Sequence, residues 1–210
     1  MWLIVGLGNP GPEYARSRHN IGFLVIEELS RRLGRPVSRR RFGTRFTEAE
    51  LHGSPVALIK PLSFMNASGR PVKVWMETTD LPQGRLLIIH DDIDLPFGRI
   101  KIVARGGHGG HKGVQSVQEE IGTSAFPRVR VGIGRPQKGR EIEFVLNPFD
   151  AVEVCALQEI VGRAADAVEE IVTRGVTSAM NRFNARARSS SEGPMADHEA
   201  EEVRECGSTR

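Results

Sequence analysis

Leu86-Leu87-Ile88-Ile89 runs directly into His90-Asp91-Asp92-Ile93-Asp94. Four consecutive aliphatic residues without alternation describe a strand buried on both faces. Such strands lie at the centre of parallel sheets, where helices cover both sides. In open sheets of this kind, ligand and catalytic groups gather beyond the carboxyl ends of the strands. The polar cluster beginning at His90 stands at that end.

Working outward, Trp2 to Leu7 is a second apolar strand, closed by Gly8-Asn9-Pro10-Gly11-Pro12. A helix is expected from near Asn20, carrying Ile21, Phe23, Leu24, Ile26 and Leu29 and ending at Gly34. Arg35 to Arg45 reads as a basic connector. Thr47 to Leu51 and Val56 to Lys60 read as a hairpin, followed by a helix from about Asn66 to Thr78. Downstream, Ile100-Lys101-Ile102 alternates like an exposed-face strand, and Gly106 to Gly113 is a glycine-rich loop leading into a helix from about Lys112 to Ile121. Val129 to Ile133 is another strand. Ala151 to Arg174 and Val176 to Arg186 close the pattern as helices. Alternating strands and helices give an α/β class: one globular domain over 1–186 with a twisted mixed, largely parallel sheet flanked by helices. Residues 187–210 are poor in apolar side chains and are expected to form a disordered acidic tail.

Composition narrows the function classes. The 210 residues are 39% hydrophobic and 26% charged, ordinary for a globular protein and unlike collagenous or disordered chains. No apolar run approaches the roughly 18 residues of a membrane span. Met1 to Gly6 has no basic leader, so no signal peptide is expected. Cys155 and Cys206 have no C-x-x-C spacing, which suggests neither a disulfide framework nor a zinc site and fits a cytoplasmic setting. The net charge of +3 divides unevenly: three arginines against six acids leave −3 on 187–210 and +6 on 1–186. A basic body is the footprint of a polyanionic partner, or simply of solubility.

Gly6-Leu7-Gly8-Asn9-Pro10-Gly11 matches G-x-G-x-x-G after a strand, a dinucleotide signature. Pro10 and Pro12 have no N–H to offer a pyrophosphate, and the helix begins too late, so the match has no mechanism. Arg18-His19-Asn20 places a histidine at a helix start, where the dipole favours the neutral imidazole that a general base requires. Asp91 can accept from a histidine N–H and fix its tautomer. The three acids at 91, 92 and 94 also permit a divalent metal, or plain turn chemistry. Gly106-Gly107-His108-Gly109-Gly110-His111-Lys112-Gly113 lacks the residues of a Walker loop, but its N–H groups suit close approach by an anion. In Ser63-Phe64-Met65-Asn66-Ala67-Ser68-Gly69, Asn66 can cap the coming helix or reach a substrate carbonyl. There is no G-x-S-x-G elbow and no cysteine beside these histidines, which leaves water activated by a His/Asp pair as the hydrolytic arrangement.

Six segments together resemble the bacterial peptidyl-tRNA hydrolase family: V-G-L-G-N-P-G-P-E-Y at 5–14, R-H-N at 18–20, S-F-M-N-A-S-G at 63–69, H-D-D-I-D-L-P-F-G at 90–98, G-G-H-G-G-H-K-G at 106–113 and R-V-R-V-G-I-G-R-P at 128–136. They follow the family order. The resemblance implies cleavage of the ester between a peptide's C-terminus and the terminal ribose of tRNA. By position, His19 resembles the general base and Asp91 its orienting partner. Asn9 and Asn66 resemble the amides that position substrate and water, and Tyr14 the aromatic at the tRNA terminus. Met65 resembles the wall of the peptide groove, His111 lies in the loop beside it, and Arg130 resembles part of the tRNA-facing surface. The family implies no cofactor, no metal, a monomer and the cytoplasm. Two positions depart from its pattern. Lys112 stands where an asparagine is usual, which removes a positioning amide from the substrate-binding set. Val103 stands where a basic residue is usual, although Lys101 and Arg105 flank it. A non-catalytic RNA-binding relative and a dinucleotide-binding oxidoreductase are the alternative readings; the pairing of His19 with Asp91 opposes the first, and Pro10 and Pro12 oppose the second.

Overall fold

In the computed structural model, which describes residues 1–185, the apolar run is strand β5, Leu86–Asp92, and all seven of its residues are buried. The strand order is β2-β3-β4-β1-β5-β7-β6. These are β1 (Trp2–Gly6), β2 (Arg39–Arg41), β3 (Thr44–Leu51), β4 (Ser54–Pro61), β6 (Ile100–Val103) and β7 (Arg128–Gly132). The inner four, β4, β1, β5 and β7, are parallel; β2, β3 and β6 run antiparallel to their neighbours. The expected mixed, largely parallel sheet is therefore present, with β1 and β5 adjacent at its centre.

Period-2 alternation sends each strand's side chains to two separate cores. Ile4, Leu87, Ile89, Val129 and Val131 meet helix α1 (Ile21–Leu33) and helix α5 (Ala151–Arg174). Leu3, Val5, Leu86 and Ile88 meet helix α2 (Gly69–Thr78) and helix α3 (Lys112–Ile121). Burying each such aliphatic side chain contributes roughly 1.5–3 kcal/mol before entropy is counted. Backbone contact fixes where α1 starts. A Cβ on Gly6 would lie 2.2 Å from the Gly22 carbonyl oxygen, and one on Gly22 would lie 2.5 Å from that of Leu7. Only glycine at both positions lets the first turn of α1 rest on the ends of β1 and β5.

Four local readings change. The basic connector holds a short edge strand, β2, whose Arg39 and Arg41 stack over Phe46 and over Phe42 and Trp75. A run of arginines has no strand pattern, and ladder pairing with β3 supplies it. The helix after Ser63 starts at Gly69, because Met65–Ala67 forms a separate 3₁₀ turn. Asn66 sits inside that turn, so it caps no helix; Ser68 occupies the N-cap position of α2. A short helix, α4 (Glu141–Leu146), was not apparent from periodicity, and helix α6 (Val176–Asn184) ends two residues before Arg186. The acidic tail at 187–210 lies outside the described residues. Among the described residues, no helix is long and apolar enough to cross a membrane.

Candidate active site

Three segments converge beyond the carboxyl ends of β1 and β5: the loop after β1, the end of β5, and the N-terminus of α3. His19 lies in a 3₁₀ turn, Arg18–Asn20, immediately before α1. Buried Arg18 anchors that turn by donating to the Pro148 carbonyl at 2.8 Å and to Glu153 at 2.6 Å, with its guanidinium over the Phe144 ring. Asn20 fastens the turn to the β1 loop: its Oδ1 accepts the Asn9 N–H at 2.7 Å, and its Nδ2 donates to the Asn9 carbonyl at 2.9 Å. The Asn9 side chain uses Oδ1 to accept the Met65 N–H at 2.8 Å. The apparent dinucleotide loop is thus a strut. Its Asn9 N–H is occupied, Pro10 and Pro12 have none, and the long helix begins only at Ile21.

The buried Asp91 carboxylate receives two imidazoles. His19 Nδ1 lies 2.8 and 2.9 Å from its two oxygens, and His111 Nε2 lies 2.9 Å from Oδ1. An ionised carboxylate only accepts, so both nitrogens carry protons. At His111 the assignment is fixed from the other side of the ring as well. His111 is the N-cap of α3, and its Nδ1 accepts the N–H groups of Gly113 and Val114, each at 3.2 Å. His111 is therefore held as the neutral Nε2–H tautomer. His19, with its proton on Nδ1, presents an unprotonated Nε2, the form a general base needs. Burial pushes the Asp91 carboxyl up, but the His19 and His111 imidazoles that face it outweigh burial and hold it well below the usual carboxylate range.

His19, Asp91 and His111 also bring three metal-type donor atoms within 4.8 Å of one another. A metal on His111 Nε2 would require the proton on Nδ1, which faces two backbone N–H groups, so the cap opposes that use. The three acids of the turn diverge. Asp91 faces the histidines, Asp92 pairs with Arg130 and accepts the Asp94 N–H at 2.9 Å, and Asp94 reaches Arg135 at 3.0 Å. That divergence is turn and pairing chemistry rather than a shared cation cage. His90 turns to the α3 side, where its Nδ1 donates to the Asp91 carbonyl at 2.6 Å. Burial, with the His111 imidazole beside it acting in the same direction, keeps its pKa well below the ordinary histidine value.

A cleft of about 560 Å³ opens over this group. Asn9, Met65, Asn66, Lys112 and Arg130 line it with His19, Asp91 and His111. Tyr14 stands outside the lining set, where its ring meets Phe64 edge-to-face at 6.4 Å, and Phe64 does line the cleft. Lys112 is exposed in the first turn of α3, its Nζ 3.4 Å from Gln115 Oε1. Sequence reasoning missed the apolar wall from α4, formed by Ile142, Val145 and Leu146. It missed Arg128 as well. The Gly109-Gly110-His111 run directly before a helix was the available signal for the His111 cap.

A family profile described as peptidyl-tRNA hydrolase matches residues 3–192. The chain belongs to the peptidyl-tRNA hydrolase family. Peptidyl-tRNA hydrolase of Citrifermentans bemidjiense is 45% identical over 184 residues, spanning 88% of this chain and 98% of that one. The enzyme of Chloroflexus aurantiacus is 46% identical over 188 residues, spanning 88% and 99%. The crystal structure of peptidyl-tRNA hydrolase from Acinetobacter baumannii superposes with a TM-score of 0.83 at 35% identity, covering 88% of this chain and 95% of that one. Membership in the peptidyl-tRNA hydrolase family accounts for the six ordered motifs, and the fold matches that of its solved members.

Proposed function

We propose that this chain hydrolyses peptidyl-tRNA by general-base catalysis, with His19 as the base and Asp91 as the group that orients it. The observation that carries the reading is the doubly held Asp91 carboxylate, which leaves His19 with its free nitrogen unprotonated beside the cleft. His19 Nε2 takes a proton from water as the water oxygen bonds to the ester carbonyl carbon. The bond from that carbon to the ribose oxygen then breaks, and the proton passes to the ribose oxygen. The products are a peptide carboxylic acid and tRNA with a free terminal hydroxyl. An ester has a better leaving group than an amide, so activated water suffices without a covalent nucleophile; general-base action contributes on the order of 10²- to 10⁴-fold.

Asn9 spends Oδ1 and its backbone groups on the strut, which leaves its Nδ2 for a substrate carbonyl or the developing oxyanion. Asn66, exposed on its 3₁₀ turn, supplies a second amide. Met65 and the α4 wall form an apolar trough for the peptide. Tyr14 stands at the rim for the terminal nucleotide, and Lys112 and Arg130 face the RNA. The enzyme works as a single cytoplasmic chain without a metal or cofactor, as its family resemblance implies, and this one chain supplies every proposed catalytic group.

Single-turnover hydrolysis of an N-acylated aminoacyl-tRNA tests the reading. The wild-type chain is expected to release the acylated amino acid, and His19→Ala to do so roughly 10² or more times slower. Binding of tRNA without release by the wild-type chain would leave only an RNA-binding role. Tight binding of a nicotinamide dinucleotide instead would restore the oxidoreductase reading.

A further inference from the structure

His19 stands between two clamps of different stiffness. On one side Asn20 exchanges two hydrogen bonds with Asn9, on the loop that continues β1. On the other side the clamp is Arg18. Its Nη1 donates to the carbonyls of Pro148 at 2.8 Å and Phe144 at 3.4 Å, and its Nη2 donates to Glu153 at 2.6 Å. Its guanidinium lies 4.3 Å from the centre of the Phe144 ring, and its backbone N–H donates to the Asn147 carbonyl at 3.1 Å. This second clamp closes on α4 and on the segment leading into α5. No residue of α4 is buried, and Ile142 is 78% exposed. So short a helix does not hold itself together in water. Among the described residues, its main contact is with the turn that carries His19.

The side chains of α4 divide between two tasks. Ile142, Val145 and Leu146 line the cleft, whereas Phe144 is outside the lining and is covered by the Arg18 guanidinium. An apolar peptide side chain set against Ile142 buries surface that α4 otherwise leaves in water. That contact stiffens the helix and the Arg18 clamp behind it. Arg18 and His19 are consecutive, so the stiffening falls on the base, whose placement matters: a misplacement of about 1 Å can cost on the order of 10²-fold in rate. We propose that Arg18, seated on Phe144, is a positioning residue that makes the rate of the chemical step depend on what fills the α4 wall. The inference rests on the reading of that wall as the peptide trough. Binding energy from peptide side chains is then expressed in the transition state and not only in affinity.

The test uses two substrates that share a leucyl ester and differ upstream, N-acetyl-diglycyl-leucyl-tRNA and N-acetyl-trileucyl-tRNA. Single-turnover hydrolysis over a series of concentrations of the full chain separates the maximal rate from half-saturation. The wild-type chain is expected to cleave the trileucyl substrate roughly tenfold faster at saturation. Phe144→Leu leaves every residue of the cleft lining in place and removes the ring under Arg18. It should cut that advantage to about twofold or less. Phe144→Tyr keeps the ring and should keep the advantage. Arg18→Lys retains a charge for Glu153 but neither the plane nor the fork, and should behave as Phe144→Leu does. Ile142→Ala should lower the advantage in the wild-type chain and have no further effect in Phe144→Leu, because the two act through one contact chain.

An arginine that merely stabilised the fold would slow both substrates equally. An undiminished advantage in Phe144→Leu, or a change confined to half-saturation, therefore overturns the proposal. If Arg18→Lys does not fold, Phe144→Leu decides alone, because Phe144 is only half-buried on its short helix. Failure of the wild-type chain to cleave either substrate would defeat the functional reading, whereas cleavage of both at one maximal rate would defeat only the coupling.

Discussion

The segments Gly6–Asn20 and Gly106–Lys112 are both rich in glycine, both follow strands and both lead toward helices. Their physical states are opposite. In the first, Asn9 and Asn20 exchange two hydrogen bonds, the Asn9 side chain holds the Met65 N–H, and Arg18 is tied to α5. In the second, the N–H groups of Gly107, His108 and Gly109 have no partner among the described residues, and the next backbone anchor is the His111 cap. A Cβ on Gly6, Gly8 or Gly22 would collide at under 3 Å, whereas one on Gly107, Gly109 or Gly110 would meet nothing within 4 Å. Glycine is used in the first segment to bring backbones together and in the second to leave donors open. One holds His19 in place, and the other lines the cleft.

That contrast can be broken or sharpened by substitution. The largest effect is expected at His19, where alanine should reduce single-turnover hydrolysis by 10² or more, about 2.7 kcal/mol in barrier, with melting temperature nearly unchanged. Its counterpart His111→Ala removes one donor from Asp91 and the cap of α3. A rate loss of about tenfold is expected, with about 0.5–2 kcal/mol lost from stability. A loss at His111 larger than that at His19 would move the base to the second segment.

Next comes packing. Gly22→Ala should destabilise by roughly 1–3 kcal/mol, since the added methyl meets backbone carbonyls of Leu7 and Ile89 that cannot give way. Gly107→Ala, on open backbone without positive φ, should stay within about 0.5 kcal/mol by thermal unfolding. Equal effects at the two sites would erase the distinction between strut and open loop.

Acid titration of stability tests the centre between them. The Asp91 carboxyl is depressed in the folded chain, so its contribution is fully present above the ordinary value of 3.8 and is lost as pH falls below it. Denaturant unfolding of the wild-type chain should therefore steepen with acid below that value. In Asp91→Asn this component should be missing. Parallel curves for the two proteins would show that Asp91 is not held ionised by the histidines.

The smallest effect is expected at Lys112. A cation in the first turn of α3 opposes the helix dipole, so Lys112→Asn should stabilise the free protein by about 0.3–1 kcal/mol. Its rate should be kept or raised, because an amide offers an acceptor that the ammonium lacks, while binding of the tRNA terminus should weaken. A collapse in single-turnover rate with unchanged binding would place Lys112 in the chemical step.

Much of this molecule was legible in the chain itself. The apolar run at 86–89 reads as a central strand because no other element buries four successive aliphatic side chains so briefly, and all of its residues are buried. The helices at 112–121 and 151–174 carry their own periodicity and appear where it places them. His19 and Asp91 stand out because a histidine at a helix start and an acid at a strand's carboxyl end are chemically marked by position. They are separated by 72 residues and meet at 2.8 Å. The strand β2 was hidden because its pairing comes from β3 and not from its own residues. Helix α4 was hidden because it is too short to show a period.

The order of the strands and the tautomers of His19 and His111 depend on contacts between distant segments, which no local pattern encodes. Residue type fixes what a side chain can donate, accept or bury. Whether Arg128 reaches the Gly106 carbonyl, or His111 Nε2 the Asp91 carboxylate, is set by which strands and loops the fold brings beside it. A buried charge or a locked tautomer is a property of its surroundings, and those surroundings exist only once the sheet has assembled.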